Sequence, residues 1–177
     1  MGNVGKTNKN KGNNAERHYA MLFRELGFTF CETSRFASKK HDNAKIDLIE
    51  VPFNIQIKAG KQTGMNPGKE LLLMENSIKT MFSPEDPVHK KPLLLFHYME
   101  VGRGKKRLPE HEFVYMSNEQ FDLFRKRSKK LEYSTLKTFN FEMFSQFKTI
   151  VGMPFEVFRN EVILRQYKIK QPNVTSS

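Results

Sequence analysis

One cysteine, Cys31, stands in 177 residues, so no internal disulfide can form. That fits folding in a reducing cytoplasm. Cys31 sits in the run Phe28-Thr29-Phe30-Cys31 and reads as a packed strand residue rather than a nucleophile. Long hydrophobic runs are missing. None approaches the roughly 18 residues that cross a bilayer, and the polar N-terminus lacks the apolar core of a secretory signal. No membrane partner is expected. Hydrophobic residues reach only 38%, a shortfall that sixteen Phe and nine Met offset in volume, enough for one globular domain. Histidine is scattered: His18, His41, His89, His97 and His111 show no zinc-binding spacing. No glycine-rich phosphate loop opens a helix, since Gly102-Arg103-Gly104 reads as a turn. Acid is the scarcer charge: 30 Lys and Arg face 19 Asp and Glu, a net charge of +11. A surface of that sign gains affinity for polyanions by releasing their counterions, which favours nucleic acid, with a membrane surface as the competing polyanion.

What is present centres on Ile46–Gly60. An apolar run holding one acid, Asp47, turns at Pro52–Asn54 and returns as the strand Ile55-Gln56-Ile57-Lys58-Ala59. Alternation sends Ile55, Ile57 and Ala59 to one side and Gln56 and Lys58 to the other. Such a hairpin brings Asp47 toward Gln56 and Lys58. A carboxylate, an amide oxygen and an ammonium converging there suit a divalent cation and a phosphate. The plainer alternative is a half-buried hairpin, with Lys58 merely paired to Asp47.

The rest of the chain arranges itself around that hairpin. Residues 1–13 read as a disordered basic arm. Asn14–Leu26 is a helix, capped by Asn13 or Asn14 and ended by Gly27, with Ala15, Tyr19, Leu22, Phe23 and Leu26 in one stripe. Glu16 lies beside the stripe, either as a site residue or as a first-turn complement to the helix dipole; His18 points toward solvent. Phe28–Thr33 reads as a strand, and Ser34–Lys45 as a polar, basic loop able to contact phosphates. Lys61–Gly68 is a linker. Lys69–Phe82 is a helix carrying Leu72, Leu73, Asn76 and Met81. Pro92–Val101 is a central strand, followed by a basic turn at Gly102–Arg107 and a return strand at Glu112–Met116. Ser117 and Gln120 form a capping box for the next helix. Beyond Leu131, Phe141, Phe144, Phe147 and Lys148 suggest a short helix. Pro154 opens another, with Phe155, Phe158 and Val162 on one face. The organisation is therefore an arm (1–13), a core domain (14–130), a Phe-rich helical extension (131–170) packed on the core or at a dimer interface, and a flexible tail (171–177).

Glu in the first helix, Asp and x-x-Lys on a hairpin, and a basic loop between them resemble the restriction-endonuclease-like nuclease superfamily, named for its PD-(D/E)XK motif. Within it the chain is most similar to archaeal-type Holliday junction resolvases. The matching pieces are Ala15-Glu16-Arg17, Ser34-Arg35, Ile46-Asp47-Leu48 and Gln56-Ile57-Lys58, and the likeness covers roughly residues 12–127. It implies an α/β fold: a mixed central sheet flanked by helices in αβββαβ order. Two positions depart from the pattern. Ile46 stands where a Pro precedes the Asp, and Gln56 stands where an acid is usual, as in the Gln-x-Lys form of Mrr-like nucleases.

The resemblance implies an endonuclease hydrolysing DNA phosphodiesters, a branched-DNA or Holliday junction substrate, a role in DNA recombination or repair, and a homodimer. It places the protein in the cytoplasm, at the nucleoid or in a phage host. Glu16, Asp47, Gln56 and Lys58 become the catalytic set. Asp47, Gln56, Glu16 and the Ile57 carbonyl become ligands of Mg²⁺ or Mn²⁺, more weakly held because the Gln56 amide brings no charge. Glu50 and Asp42 are spare acids. Ser34, Arg35, Ser38, Lys39, Lys40, Lys61, Arg103, Lys105 and Lys106 become nucleic-acid contacts. Two alternatives stay open: a catalytically inactive nucleic-acid-binding protein of the same fold, for which Gln56 argues, and an Mrr-like or repair nuclease.

Overall fold

Two strands buried on both faces, β3 (Asn54–Gly60) and β4 (Leu93–Met99), pair in parallel along their whole length and form the middle of the sheet. Parallel neighbours need a crossover, and helix α4 (Pro67–Met81) supplies it. The computed structural model describes residues 4–61, 65–102, 104–128, 131, 137–143 and 146–167. Helix α1 (Val4–Glu25) leads into strand β1 (Glu32–Thr33), two short helices, α2 (Ser34–Ala37) and α3 (Lys39–Asn43), and strand β2 (Leu48–Ile49). After β4 come β5 (Glu112–Ser117), α5 (Asn118–Arg125), β6 (Lys137–Met143) and β7 (Gln146–Pro154). A last helical segment comprises α6 (Phe155–Phe158), a π turn (Arg159–Ile163) and α7 (Leu164–Gln166). Among the described residues seven strands lie in the order β1-β2-β3-β4-β5-β7-β6, and of their pairings only β3–β4 is parallel. The fold is α/β with a mixed sheet between helices, and its first elements follow the expected αβββαβ order with α2 and α3 inserted.

Each face of the sheet has its own core. On one side Ala15, Tyr19 and Phe23 of α1, Phe121 and Phe124 of α5, and Phe155, Phe158 and Val162 pack on Ile55, Leu94, Phe96, Val114 and Val151. On the other, Leu71, Met74 and Ile78 of α4 pack on Leu95, Phe113, Tyr115 and Ile150. The α1 stripe and the Phe155–Phe158–Val162 face are therefore core, as their spacing indicates. The helix ends also match. Gly27 terminates α1 in a left-handed conformation, φ 100°. The Ser117 hydroxyl caps α5 by accepting the Gln120 N–H at 3.2 Å.

Several expectations are corrected. Residues 4–13 are helical rather than a disordered arm. Gly12 and the surrounding Asn residues lower helix propensity, which is why the sequence pattern does not extend the helix there; in the structure Lys11 Nζ lies 2.7 Å from Glu100, an exposed ion pair of small weight. Glu16 consequently lies in the helix interior, which removes its dipole role. His18 is half-buried, its ring against Tyr19 and Tyr98 and its Nε2 3.5 Å from Glu112. The expected strand at Phe28–Thr33 shrinks to β1, and the expected loop at Ser34–Lys45 contains α2 and α3. On α4 the buried face is Leu71, Met74 and Ile78, while Leu73 and Met81 are exposed. The largest change is at the C-terminus. The segment through Phe141 and Phe147 forms the β6–β7 hairpin instead of a helix, so the extension is not wholly helical and adds two strands to the sheet. Lys-Thr-Phe-Asn-Phe-Glu-Met alternates with period two, a strand signal that outweighs the i, i+3 spacing of Phe141 and Phe144. Phe144, Arg103 and the tail at 171–177 lie outside the described residues. Among the described residues no helix is long and apolar enough to cross a membrane.

Phe158 is fully buried, its ring 5.6 Å from Phe53, 5.9 Å from Phe124 and 6.0 Å from Phe96. Phe158→Ala is expected to cost about 3–5 kcal/mol in urea unfolding. Leu164→Ala, at an exposed site on the same helical segment, is expected to change stability by less than about 0.5 kcal/mol.

Candidate active site

Strand β3 is covered unequally. Along one edge β4 accompanies it from Asn54 to Gly60; along the other, β2 pairs with it only through Leu48 and Ile55. Asp47 sits where the short pairing ends. Its N–H donates to the Ile55 carbonyl at 2.7 Å, and its carbonyl accepts the Ser34 N–H at 2.9 Å. Its carboxylate Oδ2 then accepts the Ile57 N–H at 2.6 Å. A side chain thus continues the ladder that β2 abandons. The N–H and C=O of one strand residue face the same edge, so the Ile57 carbonyl also points to Asp47's side. The chain reaches and leaves this segment through left-handed residues, Lys45 at φ 63° and Glu50 at φ 58°.

Glu16 comes to the same place from α1 and is only 7% exposed. Arg35 of α2 meets it with Nη2 2.8 Å from Oε1. Burial raises the Glu16 carboxyl, and Arg35 opposes the rise. Burial pushes the Asp47 carboxyl up to about 7; the Ile57 N–H and Lys58 oppose this, and the charges of Glu16 and Asp42 add to it. Asp42, the spare acid of the sequence, is therefore electrostatically part of the site. Glu50 is exposed.

Gln56 and Lys58 lie on the α4 side of β3. Gln56 is 5% exposed, and its Oε1 has no hydrogen-bond partner among the described residues. Lys58 is not paired with Asp47. Its Nζ lies 3.0 Å from Oε2 of Glu70, in the first turn of α4. His97 stands beside Lys58 in the parallel register. It is buried, its Nε2 3.3 Å from the Gly60 carbonyl and its Nδ1 without a partner among the described residues, and burial lowers its pKa. The structure therefore gathers Glu16, Asp47, the Ile57 backbone and Lys58, with Gln56 one residue away on the strand and not bonded to Asp47. Sequence reading missed Glu70 and His97. A first-turn acid after a proline was a visible signal for Glu70, but which strand lies beside Lys58 is a tertiary fact. No group of three or more His, Cys, Asp and Glu side chains able to hold a metal ion is formed among the described residues.

The expected nucleic-acid contacts divide. Ser34 is 1% exposed, which removes it from the surface. Ser38 is committed to α3, its Oγ accepting the His41 N–H as the helix cap and lying 2.7 Å from His41 Nδ1. Arg35 holds Glu16. Lys39, Lys61, Lys105 and Lys106 are exposed, as is Lys40, whose ammonium lies 4.2 Å from the Phe82 ring centre. Cys31 is buried and its thiol is pushed up to about 12 by burial, which rules out a nucleophilic thiolate near neutral pH.

The Asp47 carboxyl gives a pH signature. Its proton is held more tightly in the folded chain than in the unfolded one, where the ordinary value is 3.8. Stability is therefore lost as pH rises from about 4 to about 7 and then levels. Asp47→Asn keeps an oxygen for the Ile57 N–H and removes the charge. Without divalent cations, the variant is expected to melt with wild type at about pH 3, to rise above it through pH 5, and to melt several degrees above it at about pH 8. Comparison of the chain with protein-family models, with curated proteins and with solved structures gives no match.

Proposed function

We propose that this protein is a metal-dependent endonuclease hydrolysing DNA phosphodiester bonds, selective for branched DNA of the Holliday junction kind, with a restriction-endonuclease-like core and a homodimeric assembly. The observation that carries this reading is the Asp47 carboxyl, pushed up to about 7 by burial at an open strand edge, with Glu16 beside it and Lys58 on the same strand. Perturbed acids grouped with a lysine are what acid–base or cation-assisted chemistry requires. The element order and the net charge of +11 support the same reading.

The donor set suits a hard divalent cation, Mg²⁺ or Mn²⁺. Asp47, Glu16 and the Ile57 carbonyl would hold it, and the unpartnered Oε1 of Gln56 is a buried oxygen lacking a donor. Such an ion supplies polarisation of the phosphate and an acidified water. The chain's own residues do the rest. Lys58 carries a compact charge to the phosphate oxygens as negative charge grows on them. Glu70 holds that ammonium in place beforehand. Arg35 opposes the rise that burial imposes on the Glu16 carboxyl, and the Ile57 N–H fixes the rotamer of Asp47.

One observation favours the second reading, a nucleic-acid-binding protein without catalysis. Both cations of the site, Arg35 and Lys58, are already neutralised by Glu16 and Glu70. The two readings separate on a labelled four-way junction and a matched duplex with Mg²⁺, Mn²⁺ or EDTA. The nuclease reading expects paired nicks on the junction that vanish in EDTA. It expects Lys58→Ala to lower cutting about 10²–10³-fold while binding the junction within about threefold of wild type. Asp47→Ala should be equally inactive. Tight junction binding with no cutting in either metal would establish the binding protein instead.

A further inference from the structure

We propose that Phe30 and Phe36 form a stacking platform for unstacked DNA bases beside the scissile phosphate. The inference rests on the nuclease reading for that phosphate. It goes further by naming the substrate class: DNA whose bases are open at the cut site.

The two rings are 80% and 78% exposed, far beyond the other exposed large hydrophobics. Phe23, Phe53, Phe82, Phe96, Phe113, Phe121, Phe124, Phe155 and Phe158 are all buried. Phe28 is half-buried against the same core. Among the described phenylalanine side chains these two alone stand in water, and they flank the sheet's edge strand, Glu32–Thr33, in the chain.

Phe36 adjoins the site, and Phe30 lies at the other end of the same edge strand. Phe36 follows Arg35, which bridges to Glu16 at 2.8 Å, and Ser34 donates its N–H to the Asp47 carbonyl at 2.9 Å. The backbone under both rings is pinned. Ser38 N–H closes on the Ser34 carbonyl at 2.7 Å, Cys31 N–H on the Phe28 carbonyl at 2.8 Å, and Arg24 Nη1 donates to the Cys31 carbonyl at 2.8 Å. Exposed Lys39 and Lys40 follow immediately. Flat apolar rings set among cations are the chemistry of base stacking, which tolerates any sequence because every base has a π face. A second copy of the chain is a poorer occupant. A stable interface needs about 800 Å² per partner around an apolar centre, and the neighbours here are Glu32, Arg35, Lys39 and Lys40. Bases inside an intact duplex offer no face, so the platform selects branch points, flaps or frayed ends.

The test needs no cleavage. Full-length protein in Ca²⁺ is titrated into a four-way junction carrying 2-aminopurine at the branch point and into a linear duplex labelled likewise. Wild type is expected to change the emission of the junction. Phe30→Ala and Phe36→Ala are expected to lose at least half of that change and to bind the junction about tenfold more weakly. They should bind the duplex within about twofold of wild type and melt at the wild-type temperature. Phe36→Tyr should restore the response. Wild-type emission and affinity in both alanine variants would overturn the proposal. So would loss of a wild-type dimer in sedimentation with the emission change intact, which would assign the rings to a second copy. Lys58→Ala should retain the emission change. A protein that cuts nothing yet keeps the response fails only as a nuclease, and one that cuts junctions with indifferent Phe variants fails only the platform.

Discussion

The unequal pairing of β3 is the constraint on which the site depends. A strand buried between two helical layers must satisfy its backbone groups, because an unpaired buried N–H costs about 1–3 kcal/mol. On the β4 side the ladder is complete from Asn54 to Gly60. On the β2 side it stops at Ile55, and the next edge-facing N–H, that of Ile57, takes the Asp47 carboxylate at 2.6 Å. Extending β2 by two residues would satisfy the same N–H with a backbone carbonyl. It would also close the edge and remove the carboxylate. The left-handed turns at Lys45 and Glu50 keep β2 short. Backbone geometry and site chemistry thus have one origin.

The electrostatics follow from that placement. Asp47 is half-buried because it serves a buried strand, and desolvation there is the largest influence on its carboxyl. Glu16 faces it from α1 because the stripe of Ala15, Tyr19 and Phe23 fixes the rotation of that helix against the sheet. Two acids brought together by packing oppose each other's ionisation. The chain counters this locally, with Arg35 on Glu16, and incompletely, since Lys58 is shared with Glu70. The folded chain is then less stable when Asp47 is ionised than when it is neutral. Such a cost is the usual mark of a residue kept for chemistry rather than for stability.

Local rules reached the elements whose signals were local. The hairpin Ile46–Gly60, the α1 stripe, the Gly27 stop and the Ser117 cap needed only alternation, period and end chemistry. The same rules failed where two signals competed. Phe141, Phe144 and Phe147 fit a helical spacing, while the surrounding residues fit a strand period, and pairing with β7 decided the outcome. On α4 the run Leu71-Leu72-Leu73-Met74 is apolar all round, so the face was set by β4 and β5 rather than by the pattern. The site shows the same division. Asp47, the Ile57 backbone and Lys58 were legible because one hairpin carries them. Glu70, His97 and the Arg35–Glu16 bridge were not, since each depends on how distant elements dock.

Gln56 shows how these constraints meet. A carboxylate at that position would face α4 beside Lys58, where Glu70 already supplies one. Asp47 already has burial, Glu16 and Asp42 against its ionisation, with the Ile57 N–H and the shared Lys58 in its favour. A further buried negative charge would raise these acids again or draw Lys58 away from Glu70. An amide presents an oxygen without that charge. Its Oε1 is left without a partner among the described residues, at a cost of about 1–3 kcal/mol that an acid on the surface would not incur. The residue is thus expensive for the fold yet mild for the electrostatics. That combination makes physical sense for an oxygen positioned for a donor or cation that binds from outside the chain.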